Sequence, residues 1–281
     1  MNENDMQIKD AIEYSINVLT LSDSKQIDSE VLLCFVLKCN RTKLYTHSKE
    51  ELSNQNKNIF KKLVKKRAKG CPIAYITNEK EFWSHKLFVN ESTLIPRPET
   101  ELLVEISIKL IKNHSLNEIL ELGTGSGAVA IAIASENLDT NIDATDINDE
   151  AINVATKNIL KHNIKNINFI KSNWFNSIGI KKYDLIITNP PYIETNDPCL
   201  TNSDIKFEPI IALASGIDGL DDLRKIISNS HNKLKNNGWL VVEHGHNQGN
   251  DVRNLFIKNC FTTTTIKDYN QLERVTYGKL I

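Results

Sequence analysis

At 281 residues, 40% of them apolar and 25% charged, the chain has the composition of a soluble globular protein with one large or two moderate domains. A net charge of −1 offers no basic excess, which argues against nucleic acid as a stable partner. The five cysteines are scattered and odd in number, with no C-x-x-C pair, so reduced thiols are expected and a disulfide framework or zinc site is not. From Met1 to Asp10 the chain is polar and acidic, without the apolar core of a signal peptide. The longest apolar stretch, Gly127 to Ala134, is too short to span a bilayer. A cytoplasmic protein with no membrane partner is expected.

The first seventy-odd residues read as helices only. Gln7 to Leu19 and Ser29 to Leu37 have helical texture, with Ser22, Asp23 and Ser24 supplying turn and cap chemistry between them. Leu52, Ile59, Phe60, Leu63 and Val64 form one apolar stripe on a segment from about Lys49 to Ala68. Arg41 to Lys69 holds ten Lys or Arg against Glu50 and Glu51, a solvated face or a dock for an acidic partner. Gly70-Cys71-Pro72 then punctuates the chain. Short aromatic and β-branched runs, Glu81-Phe82-Trp83 and Leu87-Phe88-Val89, predict a small hairpin linker. The expected organisation is a helical domain over 1–72, the hairpin linker over 73–95 and an α/β domain over 96–281.

Beyond Pro98, strand and helix alternate. Strands are predicted at Glu118–Leu122, Ile142–Asp146, Ile167–Lys171, Tyr183–Thr188, Gly238–Glu243, Thr262–Asp268 and Glu273–Lys279. Helical stretches between the first five imply βαβ units and a mainly parallel, Rossmann-like sheet of seven strands. The last two are separated by a short turn near Asn270 and should pair antiparallel.

The run Ile119-Leu120-Glu121-Leu122-Gly123-Thr124-Gly125-Ser126-Gly127-Ala128 leads from an apolar strand through a glycine turn into an alanine-rich helix. Glycines let the backbone turn tightly and approach a ligand, whose charge would meet free N–H groups at the helix start. Asp146 ends the next strand, where a carboxylate can accept from both hydroxyls of a ribose. Gly123, Gly125 and Ala128 satisfy the dinucleotide fingerprint G-x-G-x-x-G/A. They equally satisfy the looser loop of S-adenosylmethionine enzymes, in which Glu121 lies near the cofactor's ammonium. A plain strand-to-helix turn, with Asp146 as a helix-start carboxylate, is the structural alternative. The loop by itself leaves the cofactor open.

Asn189-Pro190-Pro191-Tyr192 follows the strand Tyr183–Thr188, at the sheet edge where ligands bind in open α/β folds. Two prolines fix φ and remove two donors, leaving carbonyls that only accept. The Asn189 side chain adds an acceptor and Tyr192 a flat face. A planar –NH2 group has its lone pair delocalised and attacks poorly. Two acceptors, the Asn189 side chain and the Pro190 carbonyl, can hold both hydrogens and turn the lone pair toward an electrophile. Methyl transfer from a sulfonium is then an in-line displacement aided mainly by positioning, with the developing charge met by the acceptors and the Tyr192 ring. A nicotinamide-dependent dehydrogenase would have no use for this tetrapeptide. No metal is required. His244 and His246 lack a companion ligand cluster and are expected in a loop.

On these residues the sequence resembles the release-factor glutamine methyltransferases, the HemK/PrmC type. The likeness covers nearly the whole chain. Its most specific parts are Gly70-Cys71-Pro72-Ile73-Ala74-Tyr75, Glu81-Phe82-Trp83, Leu94 to Glu101, Gly123 to Gly127, Asn189 to Tyr192 and Phe207-Glu208-Pro209, with Glu243-His244-Gly245 and Glu273 to Thr276 also familial. The resemblance implies a class I methyltransferase domain behind a helical domain and a hairpin linker. It implies S-adenosyl-L-methionine as cofactor, S-adenosyl-L-homocysteine as product, and bacterial class I peptide chain release factors as partners. The methyl acceptor would be the glutamine of their Gly-Gly-Gln tripeptide. Carried over by position, Gly123, Thr124, Gly125, Ser126, Gly127, Asp146, Trp174 and Asn189 would hold the cofactor, the Trp174 indole lying against adenine. Asn189, Pro190, Pro191 and Tyr192 would hold the substrate glutamine, with Asn189, Pro190 and Tyr192 catalytic. Asn173 stands where many relatives carry Asp. Arg97 and Glu99 are placed in the substrate cleft or in a structural ion pair. A monomer is expected. Rival substrates of the same chemistry are a ribosomal-protein glutamine and an exocyclic amine of DNA or RNA, the latter needing base flipping and phosphate contacts.

Overall fold

A computed structural model of the chain describes residues 6–201 and 204–281. The chain divides into two compact units, Met1–Asn78 and Glu79–Ile281. The first five residues of the helical region expected over 1–72 lie outside the described ones.

The first unit is helical: α1 (Ile8–Val18), α2 (Lys25–Leu37), α3 (Arg41–Thr46), α4 (Asn54–Ala68) and α5 (Ile73–Thr77). Its core gathers Ile8 and Ala11 of α1 and Phe60 and Val64 of α4, pairs spaced to share one helix face, together with the adjacent Leu32 and Leu33 of α2. The Ser53 hydroxyl accepts from Asn56 N–H and starts α4 at Asn54, several residues later than the stripe suggested. Among the described residues, two of the ten basic side chains, Arg41 and Arg67, pair with buried carboxylates. Arg67 Nε–H donates to Asp28 at 2.7 Å, and Arg41 pairs with the fully buried carboxylate of Glu30.

The second unit opens with a hairpin, β1 (Glu79–Phe82) and β2 (His85–Phe88), so the linker expected from residue 73 begins as helix α5 and becomes strand only at Glu79. Trp83 and Ser84 turn it with φ of 50° and 61°, the doubly left-handed pair of a two-residue hairpin loop. Then follow α6 (Glu101–His114), β3 (Glu118–Leu122), α7 (Ala128–Glu136), β4 (Asn141–Asp146), α8 (Asp149–Lys161), β5 (Ile167–Lys171) and β6 (Tyr183–Thr188). The chain ends through α9 (Asp221–Ser230), β7 (Leu234–Glu243), α10 (Gly249–Lys258), β8 (Thr264–Lys267) and β9 (Glu273–Lys279). The seven strands β3–β9 lie in the order β5-β4-β3-β6-β7-β9-β8, with only β9 antiparallel to its neighbours. The alternating strand and helix texture thus makes the doubly wound α/β sheet it predicts. One connection departs from expectation: no helix joins β5 to β6. Residues 172–182 cross as irregular chain, since Ser172, Asn173, Asn176, Ser177 and Gly179 compete with or weaken a helix.

This strand order reverses direction beside β3. The chain leaves β3 toward β4 and β5, then returns to lay β6 on the other side, with Leu122 opposite Thr188. The carboxyl ends of β3 and β6 therefore open side by side, which is the switch point where open α/β sheets hold ligands.

Candidate active site

Two sequence segments emerge at that switch point. Behind β3, the loop turns through Gly123, Gly125 and Gly127 at φ of 73°, 55° and 81°. The Thr124 hydroxyl donates to Glu121 Oε2 at 2.6 Å, and Gly125 N–H donates to Asp146 Oδ2 at 2.9 Å. The other Asp146 oxygen accepts from Asn148 N–H at 2.9 Å. Burial pushes the Asp146 carboxyl above its ordinary value while these backbone donors oppose the shift. Glu121 is fully enclosed, and desolvation pushes it up to about 7.

A cavity of about 230 Å³ lies against this loop, walled by Gly123, Gly125, Asp146, Trp174, Asn189 and Pro191, with residues 92–94 and 209–212 on the remaining sides. Trp174 stands in the irregular β5–β6 crossing at φ 49°, and its indole N–H donates to Asp222 Oδ1 at 3.1 Å. A Cβ on Gly123 would come within 3.4 Å of the indole ring, so a bare backbone there keeps the ring in place. A flat aromatic wall, a carboxylate with its position fixed and a glycine floor suit a nucleoside. Glu121, Thr124, Ser126 and Gly127 are not on the cavity wall; they are buried behind the loop and shape it.

A second cavity of about 170 Å³ is lined by Arg97, Asn189, Pro190, Pro191 and Tyr192, and it shares Leu94, Asn189, Pro191 and Ala212 with the first. The Asn189 amide nitrogen donates to Thr100 Oγ1 at 3.1 Å, which leaves its oxygen free to accept. The Tyr192 hydroxyl donates to Glu243 Oε1 at 3.2 Å; burial and this carboxyl push it up, so it stays neutral. Gln248 Nε2 donates to the Tyr192 carbonyl at 3.0 Å, and Tyr192 N–H donates to the Leu213 carbonyl at 3.2 Å. Arg97 both borders the cavity and pairs with buried Glu208, whose Oε2 accepts from Ile95 N–H at 3.0 Å. Arg97 thus lines this cavity and makes a structural ion pair at once. Pro190 contributes a carbonyl with no donor beside it, since Pro191 has no N–H. Such a group of acceptors suits an –NH2 group.

Sequence reasoning did not assign Thr100, Asp222 or Glu243, which hold Asn189, Trp174 and Tyr192. Thr100 and Glu243 stood in familial runs, but a support residue has no spacing rule of its own. His244 is buried and bonded through Nδ1 to Gly245 O and through Nε2 to Thr276 Oγ1, a structural position.

A family model described as the PrmC N-terminal domain matches residues 10–77, and one described as the methyltransferase small domain matches residues 98–205. The release factor glutamine methyltransferase of Aliivibrio fischeri is 41% identical over 280 residues, covering 98% of each chain. That of Buchnera aphidicola subsp. Acyrthosiphon pisum is 42% identical over 275 residues, covering 98% of this chain and 99% of its own. The chain belongs to the release factor glutamine methyltransferase family. It is therefore an enzyme, a methyltransferase, and it shares its fold with other methyltransferases. One from Pyrococcus furiosus superposes with a TM-score of 0.51 at 15% identity, over 69% of this chain and 88% of that one. Within the methyltransferase small domain match fall both glycine loop and tetrapeptide, the two segments that border the joined cavities. Among the described residues no helix is long and apolar enough to cross a membrane.

Proposed function

We propose that the chain transfers a methyl group from S-adenosyl-L-methionine to the side-chain amide nitrogen of the glutamine in the Gly-Gly-Gln loop of a bacterial class I peptide chain release factor. The observation that carries this reading is Asn189. It borders both cavities, and its amide is turned so that the oxygen is the free end. Bound in the larger cavity, the donor would supply a sulfonium-activated methyl and leave as S-adenosyl-L-homocysteine. Asp146 would accept from its ribose and the Trp174 ring would cover its base. Asn189 Oδ1 and the Pro190 carbonyl would take the two amide hydrogens of the glutamine. That fixes the amide plane and aims its nitrogen along the line of displacement. As the N–C bond forms and the sulfonium S–C bond breaks, nitrogen gains positive charge and the same two oxygens hold its hydrogens more tightly than in the ground state. One of those hydrogens is then lost as a proton to solvent, leaving the neutral N-methyl amide. The neutral Tyr192 ring bounds the side chain and keeps water from the reacting nitrogen. The relatives' name supplies the release factor as partner, and a cytoplasmic location follows from that partner.

The test is to incubate the protein with labelled S-adenosyl-L-methionine and, side by side, a release factor, ribosomal proteins and RNA, then map the label by mass spectrometry. Label on the Gly-Gly-Gln glutamine is the expected result, and Asn189→Ala should lower turnover by roughly a hundredfold. Label on a nucleobase or a ribosomal protein, with the release factor unmodified, sinks the substrate assignment.

A further inference from the structure

Glu243 is the end residue of β7, one position beyond Val242, which pairs with Thr188 just before the tetrapeptide. The sheet therefore places a carboxylate beneath Asn189 and Tyr192. It is 1% exposed, and among the described residues its Oε2 has no hydrogen-bond partner. A buried, half-satisfied carboxylate is costly to keep, and a Gln, Met or Leu of similar size would fill the space without the charge. Its surroundings indicate what the charge does. The Tyr192 hydroxyl donates to its Oε1 at 3.2 Å. Burial pushes the carboxyl up to about 7, while the neighbouring Thr100 and Tyr192 hydroxyls favour the ionised form and oppose that shift. Arg274 supplies the nearby positive charge.

Above about pH 7 the carboxylate is ionised and accepts only, so each hydroxyl that meets it turns its single hydrogen toward Glu243. The Thr100 oxygen is then left with lone pairs alone on its other side. Asn189 can meet it only through its –NH2, which is the observed contact of 3.1 Å. We infer that Glu243 is a positioning residue which, through Thr100 and Tyr192, fixes the donor and acceptor sense of both side chains of the tetrapeptide that face the substrate. The inference rests on the reading of Asn189 as the acceptor that orients the glutamine amide. With a donor in place of Glu243, the Thr100 hydrogen is released to point at Asn189. The Asn189 amide then rotates, and its –NH2 faces the –NH2 of the glutamine, donor against donor.

Full-length Glu243→Gln, Thr100→Val, the double variant and Thr100→Ser should be assayed at about pH 8, where Glu243 is ionised, on a release factor with labelled S-adenosyl-L-methionine, and cofactor affinity measured by calorimetry. Glu243→Gln and Thr100→Val should each lower kcat about tenfold or more while cofactor Kd stays within about threefold, as expected for a preorganised contact acting on the acceptor. The double variant should be no slower than the slower single one, because both remove the same relay. Thr100→Ser, which keeps the hydroxyl, should retain kcat within about threefold. Wild-type kcat in folded Glu243→Gln, additive losses in the double variant, or a loss confined to cofactor affinity overturns the inference. If wild type labels the glutamine and Asn189→Ala does not, a normal Glu243→Gln sinks this inference alone. If wild type never labels the glutamine, the functional reading fails and takes the inference with it.

Discussion

Glu121 and Glu243 are buried carboxyls of the catalytic unit with no cation bonded to them among the described residues, and desolvation pushes both up to about 7 from an ordinary 4.5. Between those values the native chain holds more protons than the unfolded one, so stability falls as pH rises. The contribution is complete below about 4.5 and gone once pH passes about 7, on the order of 3 kcal/mol for each group. Thermal melts should therefore show a lower melting temperature at pH 8 than at pH 5, and Glu243→Gln should remove a sizeable part of that difference. A Glu243→Gln variant whose melting temperature falls as steeply as wild type's shows that this carboxyl does not titrate in the window. The same substitution is thus expected to stabilise the protein at pH 8 while slowing it, the usual exchange at a site built around a buried charge. At this scale Asn189, Pro190 and Asp146 were singled out as acceptors and Tyr192 as a flat face from their own chemistry, and all four line one or other cavity. Thr100, Asp222 and Glu243 could not be singled out, because they act on other side chains and come from positions 89, 48 and 51 residues away from their partners.

Among elements, β3, β5, β6 and β9 have the bounds their apolar and β-branched runs predict, most plainly β3 and β6, which are buried on both faces. Helices α3 and α5 were not legible: at six and five residues they are too short to display a 3.6-residue period. The irregular β5–β6 crossing was mistaken for helix, although a non-helical chain is what lets Trp174 take a positive φ at the cavity wall. The loop before α9 carries a further requirement. Gly219 has φ of 71°, and a Cβ there would lie 2.2 Å from the Tyr192 carbonyl and 2.7 Å from Gln248 Nε2. An alanine would be strained in its backbone and would push on the bond that holds the tetrapeptide. Gly219→Ala should lower kcat on the order of a hundredfold, as misplacement near 1 Å does, with cofactor binding little changed. Normal turnover by the alanine variant means that the tetrapeptide does not depend on this loop for its position.

For the molecule as a whole, composition and the change of texture near residue 70 separated a helical region from an α/β region, and contacts divide the chain after Asn78. What the helical unit binds has no local signature, because a docking surface is defined by its partner. The functional reading gives it the body of the release factor, leaving the catalytic unit a short glutamine-bearing loop. Binding energy gained away from the reacting amide then contributes to rate, so a free Gly-Gly-Gln peptide should have kcat/KM at least about a hundredfold below that of the intact release factor. Equal values for peptide and protein, measured with the full chain, mean that the helical unit plays no part in recognition. One feature of the site reaches further. Asn189 and Pro191 belong to both cavities, so the partition between them is a single residue thick. A medicinal chemist would see one continuous, two-chambered mould. A single compound with a nucleoside head and a carboxamide tail, joined by a tether a few bonds long, would occupy both chambers. It would owe its grip to effective concentration, the second half arriving already tethered to the first.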